Sequence, residues 1–122
     1  MFYGQAEDAL DLYQGIFESA EIGPIERYGP DQESMNGKIK RAALILGGQR
    51  FLLIDSPVTH DFGFTPAISI FVECDSATDI VEKFAALSAD GQTFMPLDNY
   101  GFSTRFAWIA DRFGVSWQLN LP

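Results

Sequence analysis

The stretch AISIFVECDSATDIVEKFAALSA, residues 67–89, decides how the rest of the chain is read. Its first eight residues are mostly apolar, several of them β-branched or aromatic, which suits a half-buried pleated strand. Asp75-Ser76 then offers side-chain oxygens for the start of a helix. Ala77, Ile80, Val81, Phe84 and Leu87 follow at i, i+3, i+4 and i+7 spacing, which predicts an amphipathic helix over 77–89. Gly91, just past its end, reads as the helix stop.

The same stripe stands 71 positions earlier as Ala6, Ala9, Leu10, Tyr13 and Ile16, predicting a helix over 5–18. Working outward from the two helices, the flanking segments also match. Met1-Phe2-Tyr3 reads as the tail of a strand ahead of the first helix. After it come a strand over 20–28, broken by Gly23-Pro24 in the manner of an edge or a bulge, a polar loop over 29–37, and a hairpin with arms 38–46 and 50–55 about Gly47-Gly48. After the second helix come a strand over 92–97, a turn over 98–101, and a hairpin with arms 102–110 and 115–121. That hairpin turns at Asp111-Arg112-Phe113-Gly114, where glycine supplies a left-handed backbone. The last strands match at an offset near 64, with Phe51 opposite Val115. Strand, helix and three strands, twice over, is an internal duplication.

This predicts an α+β fold of paired βαβββ modules. Each module has a sheet with one face under a helix and the opposite face open. Two such modules can close half-barrel sheets around a cavity, which implies a concave ligand site between halves and a homodimer. The expected organisation is a single domain over 1–122: a first half over 1–55 with a short first strand, a connector over 56–66, and a second half over 67–122.

Composition agrees with one domain. The chain has 122 residues, 47% of them hydrophobic with 11 Phe, enough for a core without staples. Seventeen acidic residues against eight basic ones give a formal charge of -9, which disfavours nucleic acid and anionic membrane as partners. Lys38, Lys40 and Arg41 are the one basic cluster, and their alternating segment reads as the solvent face of a strand. Cys74 is the only cysteine, so no internal disulfide forms, and Glu73 and Asp75 beside it disfavour a thiolate. No signal peptide and no run of about 20 apolar residues is present, so the expected location is cytoplasmic.

The last strand alternates. Val115, Trp117, Leu119 and Leu121 should pack under the helices, leaving Ser116, Gln118 and Asn120 to line a pocket. His60, the only histidine, lies in the connector beside Asp61 and reads as a general base, a ligand contact or a plain loop residue. Arg105, in an apolar and hydroxyl-bearing strand, is either an anion contact or strand surface. Tyr100 and Trp108 stack on a ligand or fill the core. No paired-cysteine motif, phosphate loop or Ser/His/acid arrangement is readable.

Three segments carry a family resemblance that covers essentially the whole chain. They are Gly4-Gln5-Ala6-Glu7-Asp8-Ala9 before Tyr13, Phe62-Gly63-Phe64-Thr65 leading into Ala67-Ile68-Ser69, and Asp111-Arg112-Phe113-Gly114-Val115-Ser116-Trp117-Gln118. The chain resembles the vicinal oxygen chelate superfamily of glyoxalase I, bleomycin-resistance proteins and extradiol dioxygenases. Within it, the chain is similar to the PhnB-like group often labelled 3-demethylubiquinone-9 3-methyltransferase. The resemblance implies a divalent cation held by His, Glu or Gln on the first and fourth strands of each half, acting as a Lewis acid on adjacent oxygens. Carried over, the second-half Glu position falls on Gln118 and the His position on Ala67. The first-half His position falls before Met1, and Asp55 is the only ligand-type side chain near the end of the first hairpin.

The candidate ligand-binding residues are therefore Asp55, His60, Arg105, Ser116 and Gln118, with no metal residues assigned and no cofactor expected. Two readings stay open. One is a small-molecule binding protein without the usual metal site. The other is a metal-dependent lyase, isomerase or dioxygenase drawing on Asp55, His60 and Gln118. The methyltransferase label is disfavoured, because no glycine-rich nucleotide loop joins a parallel strand to a helix.

Overall fold

The computed structural model describes residues 1–122, which fall into two units, Met1–Gly63 and Phe64–Pro122. Each follows from the same local rules. In the first unit, helix α1 (Ala6–Ile16) buries Ala6, Ala9, Leu10 and Tyr13, the predicted stripe. It packs on strands β1 (Glu21–Arg27) and β2 (Ile39–Leu46). Strand β3 (Gln49–Leu53) completes an antiparallel sheet in the order β1-β2-β3. β1 is an edge strand, and its register slips between Ile22 and Ile25, where Gly23-Pro24 interrupts the ladder. The 29–37 loop contains one short 3-10 turn, Glu33–Met35.

Register sorts the two faces of this sheet. Ala42 pairs with Leu53 and Leu44 with Phe51, and Ala42, Leu44 and Leu53 are buried on the side of α1. Ala43 pairs with Leu52 and Ile45 with Arg50, so these residues, with Arg41, look away from α1.

The second unit repeats the plan with a longer first strand. β4 (Ile70–Glu73) leads into α2 (Ala77–Ser88), then β5 (Gln92–Asp98), β6 (Arg105–Ala110) and β7 (Ser116–Leu121). The sheet order is β4-β7-β6-β5, with β4 parallel to β7 and the other pairs antiparallel. Ser76 caps α2, its hydroxyl accepting from the Asp79 N–H at 3.0 Å. Trp117 and Leu119 are fully buried under α2 with Ala107 and Ile109, the apolar face expected of β7.

The duplication is visible atom by atom. In the first unit the Phe2 N–H donates to the Ile54 carbonyl at 2.7 Å; in the second the Cys74 N–H donates to the Asn120 carbonyl at 2.7 Å. The first strand of unit one is thereby reduced to a single parallel bridge, Phe2 to Asp55. Matching Ile54 to Asn120 sets the offset of the last strands at 66 rather than near 64, so Phe51 lies opposite Trp117. The two-residue change preserves strand parity, and the apolar face is unaffected.

Other expectations are corrected. Residues 67–69 lie outside β4, and 102–104 lie outside β6. Val81 is 45% exposed, so the buried stripe of α2 narrows to Ile80 and Leu87 with Phe84 half-buried. Gly91 does not supply the left-handed stop of α2; Asp90 does, at φ 58°. Gly91 is required for close approach instead, because a Cβ there would stand 2.1 Å from the Ala110 carbonyl oxygen. No helix is long and apolar enough to cross a membrane.

Candidate functional site

On β7 the polar face is built as the alternation predicts, and much of it is bonded internally. The Ser116 hydroxyl accepts from Trp108 Nε1 at 2.9 Å and shares a hydrogen bond with the Ser69 hydroxyl at 2.6 Å. Trp108 stands beside Phe94, ring centroids 5.0 Å apart. Asn120 Nδ2 donates to the Glu73 carboxylate at 2.9 Å, while its buried Oδ1 meets no donor. Gln118 is half-buried, paired with Trp108 on one side and Phe71 on the other. Ser116 and Gln118 thus share a face with two aromatic rings, and Ser116 is already bonded to its neighbours.

The other anticipated residues do not join them. Asp55 is 1% exposed and holds the start of α1. Its Oδ1 accepts from the backbone N–H of Gly4 at 2.8 Å and of Ala6 at 3.0 Å, and its Oδ2 from that of Ile39 at 3.0 Å. This side chain, from just beyond β3, replaces the local cap that Gln5 does not provide. His60 lies exposed, stacked on Phe62 at 5.0 Å, in a loop also tied down by the Tyr3 hydroxyl donating to the Phe62 carbonyl. Arg105 pairs with Leu121, which puts it on the same side of the sheet as Trp117 and Leu119, opposite to Ser116 and Gln118.

A concavity that the sequence reading missed lies on the first unit. The face of the β1-β2-β3 sheet turned away from α1 carries a cavity of about 430 Å³, lined by Ile25, Glu26, Arg41, Ala43, Arg50 and Leu52 among others. Arg41 therefore parts company with Lys38 and Lys40. Lys40 pairs with Glu26 at 3.5 Å, and Lys38 reaches the Gly4 carbonyl at 3.2 Å. The signal was available as strict alternation through Arg41-Ala43-Ile45 and Arg50-Leu52, but basic residues in a strand of an acidic chain read first as solvent-facing.

A family model for 3-demethylubiquinone-9 3-methyltransferase matches residues 1–120. The chain belongs to this family. Known proteins agree. A Bacillus cereus PhnB protein is 43% identical and covers 100% of this chain and 95% of its own, with a TM-score of 0.95. A Pseudomonas aeruginosa protein is 26% identical over 98% of this chain and 91% of its own, with a TM-score of 0.85. An uncharacterized Mycobacterium bovis protein is 31% identical over 96% of this chain and 76% of its own. A glyoxalase/bleomycin resistance protein/dioxygenase superfamily member from Sphaerobacter thermophilus, 14% identical with a TM-score of 0.59 over 100% of this chain and 92% of its own, shares the fold. The PhnB-like reading and the glyoxalase-like α+β fold are therefore established.

The residues of this PhnB-like chain do not fit the divalent cation of metal-dependent superfamily members. Ala67 has no donor atom. Asp55 has both oxygens engaged by three backbone N–H groups. Gln118 is a neutral amide, and no three His, Cys, Asp or Glu side chains cluster to hold a metal. Cys74 adds no reactive thiolate, since burial, reinforced by the Asp79 carboxylate, pushes its thiol up to about 11.

Proposed function

We propose that this PhnB-like chain binds a small organic molecule on the helix-free face of its sheet, without the metal centre of its catalytic relatives. The observation carrying this is the 430 Å³ concavity on the first unit, a volume in the range of small-molecule sites. The donor-poor residues at the metal positions support the second half of the proposal. The family description names a methyltransferase, but the chain's own residues argue otherwise. The segments leading into the two α-helices are Tyr3-Gly4-Gln5 and Cys74-Asp75-Ser76, neither of them a glycine-rich loop, and neither sheet is parallel and doubly wound as nucleotide-binding folds of that kind are.

Mass spectrometry of protein purified without a metal-scavenging tag tests the proposal. A copurified organic ligand, no stoichiometric divalent metal and an unchanged fold after chelation are the expected results. Stoichiometric metal lost on Gln118→Ala would replace it with a metal-dependent lyase, isomerase or dioxygenase. The proposal includes a homodimer of the 13.6 kDa chain in the cytoplasm, in keeping with a single unpaired buried thiol. Light scattering at micromolar concentration returning the monomer mass would remove the dimer.

A further inference from the structure

We infer that the ligand of the first-unit concavity is an amphipathic organic carboxylate, with its anionic group on Arg50 and its apolar body over Leu52 and Ala43. This inference rests on the binding reading above and adds the chemical class. Three observations carry it.

The first is scarcity of positive charge. The chain has only eight Lys and Arg against seventeen Asp and Glu. Three of the eight, Arg27, Lys40 and Lys83, are held in ion pairs with Glu7, Glu26 and Asp79. Arg41 and Arg50 form none, and both line the same cavity. Two guanidinium groups outside any ion pair, against one carboxylate, leave this concave face net positive in a chain of formal charge -9, which attracts anions.

The second is their placement along the sheet. Arg50 stands opposite Ile45, Leu52 opposite Ala43, and Arg41 opposite Glu26. From one end of the cavity to the other the sequence of surfaces is a free cation, an apolar floor, and a cation beside a carboxylate. Glu26 is the acidic residue of the lining and sits at the Arg41 end, so the net positive end is Arg50. A planar guanidinium takes a carboxylate through two parallel hydrogen bonds.

The third is the floor. Leu52 is 49% exposed on a central rung of this face, while its neighbour Leu53 is buried on the opposite face. Apolar surface beside an unpaired arginine suits a ligand with a hydrocarbon or aromatic body attached to an anionic head, and suits a neutral or cationic ligand less. A simple inorganic anion would use Arg50 and leave Leu52 in water.

The test uses three matched probes, 4-phenylbutyrate, 4-phenylbutan-1-ol and 4-phenylbutylamine, titrated into the full chain and followed by amide chemical shifts of residues 41–52. The acid should perturb these resonances and bind about ten-fold tighter than the alcohol, the size of one charge-assisted hydrogen-bonded contact, with the amine weaker still. Arg50→Gln should bring the acid to the alcohol's affinity, while Arg112→Gln, at an exposed arginine outside the cavity, should leave it unchanged. Equal binding of acid and alcohol at these resonances overturns the carboxylate class but leaves the binding function standing. No perturbation of residues 41–52 by any probe removes both. Shifts of these residues on dilution without any probe would show that a second copy of the chain covers the face, and would overturn the inference. Unchanged thermal melting of each variant ensures that lost affinity is not lost folding.

Discussion

Asp55 sets the tone at the scale of single residues. A carboxylate buried beside three backbone donors is a structural device, since those N–H groups would otherwise be unpaired in the interior. Asp55→Ala is expected to destabilise the protein by about 3 kcal/mol or more, and Asp55→Asn by less, because the amide oxygen still accepts. Urea denaturation measures both, and a loss under about 1 kcal/mol for the alanine variant would contradict the role. Cys74 makes a second prediction. With its thiol at about 11, it should label with iodoacetamide at pH 8 far more slowly than a free cysteine, and speed up to the free rate in urea. The linkage has a definite sign: a raised folded-state value gives stability that is present below the thiol's ordinary value and is lost as pH rises from there through about 11. Fast labelling of the native protein would place the thiol in the open.

At the scale of elements, glycines separate conformational from steric demand. Gly91 joins α2 to β5 directly beneath the Ala110 carbonyl, at a distance no Cβ tolerates. Gly91→Ala should force the connection off β6 and cost about 3 kcal/mol, within the range of overpacked sites. A Cβ added at Gly15, near the end of α1, would meet nothing within 4 Å, so Gly15→Ala should stabilise by a few tenths to about 1 kcal/mol. Thermal melts of the two variants decide this, and shifts in the same direction would refute the distinction. Asp90, left-handed at φ 58°, is the strained partner of Gly91, an arrangement that arises because the close approach fixes glycine at 91 and moves the turn one residue back.

At the scale of the whole molecule, charge governs behaviour. Glu7 is held below its ordinary value by its hydrogen bond from Arg27. Asp79 is lowered too: desolvation pushes it up, but the Lys83 ammonium and the Asp75 N–H outweigh that. Lowered carboxylates contribute stability above their unfolded values that is lost as pH falls through the folded ones. The urea midpoint should therefore stay level from pH 7 to about 5 and fall below about 4, with Lys83→Met weakening the acid branch slightly. A midpoint rising between pH 4 and 3 would show that relief of acidic self-repulsion dominates instead.

Much of this was readable in the chain itself. Helical periodicity at Ala6–Ile16 and from Ala77 onward, and strand alternation in β7, are local patterns that depend only on burying one face, so the two βαβββ units and their helix-covered faces follow from sequence. The tertiary structure alone decided what depends on residues far apart along the chain. Asp55 became an anchor because folding brings it to Gly4, Ala6 and Ile39. Arg105 fell on the helix side because register, not composition, assigns faces. Arg41 and Arg50 line one concave face because the pairing of β2 with β3, and not either strand alone, sets Ile45 beside Arg50 and Ala43 beside Leu52. Periodicity is a property of one element, whereas a site is a property of their pairing.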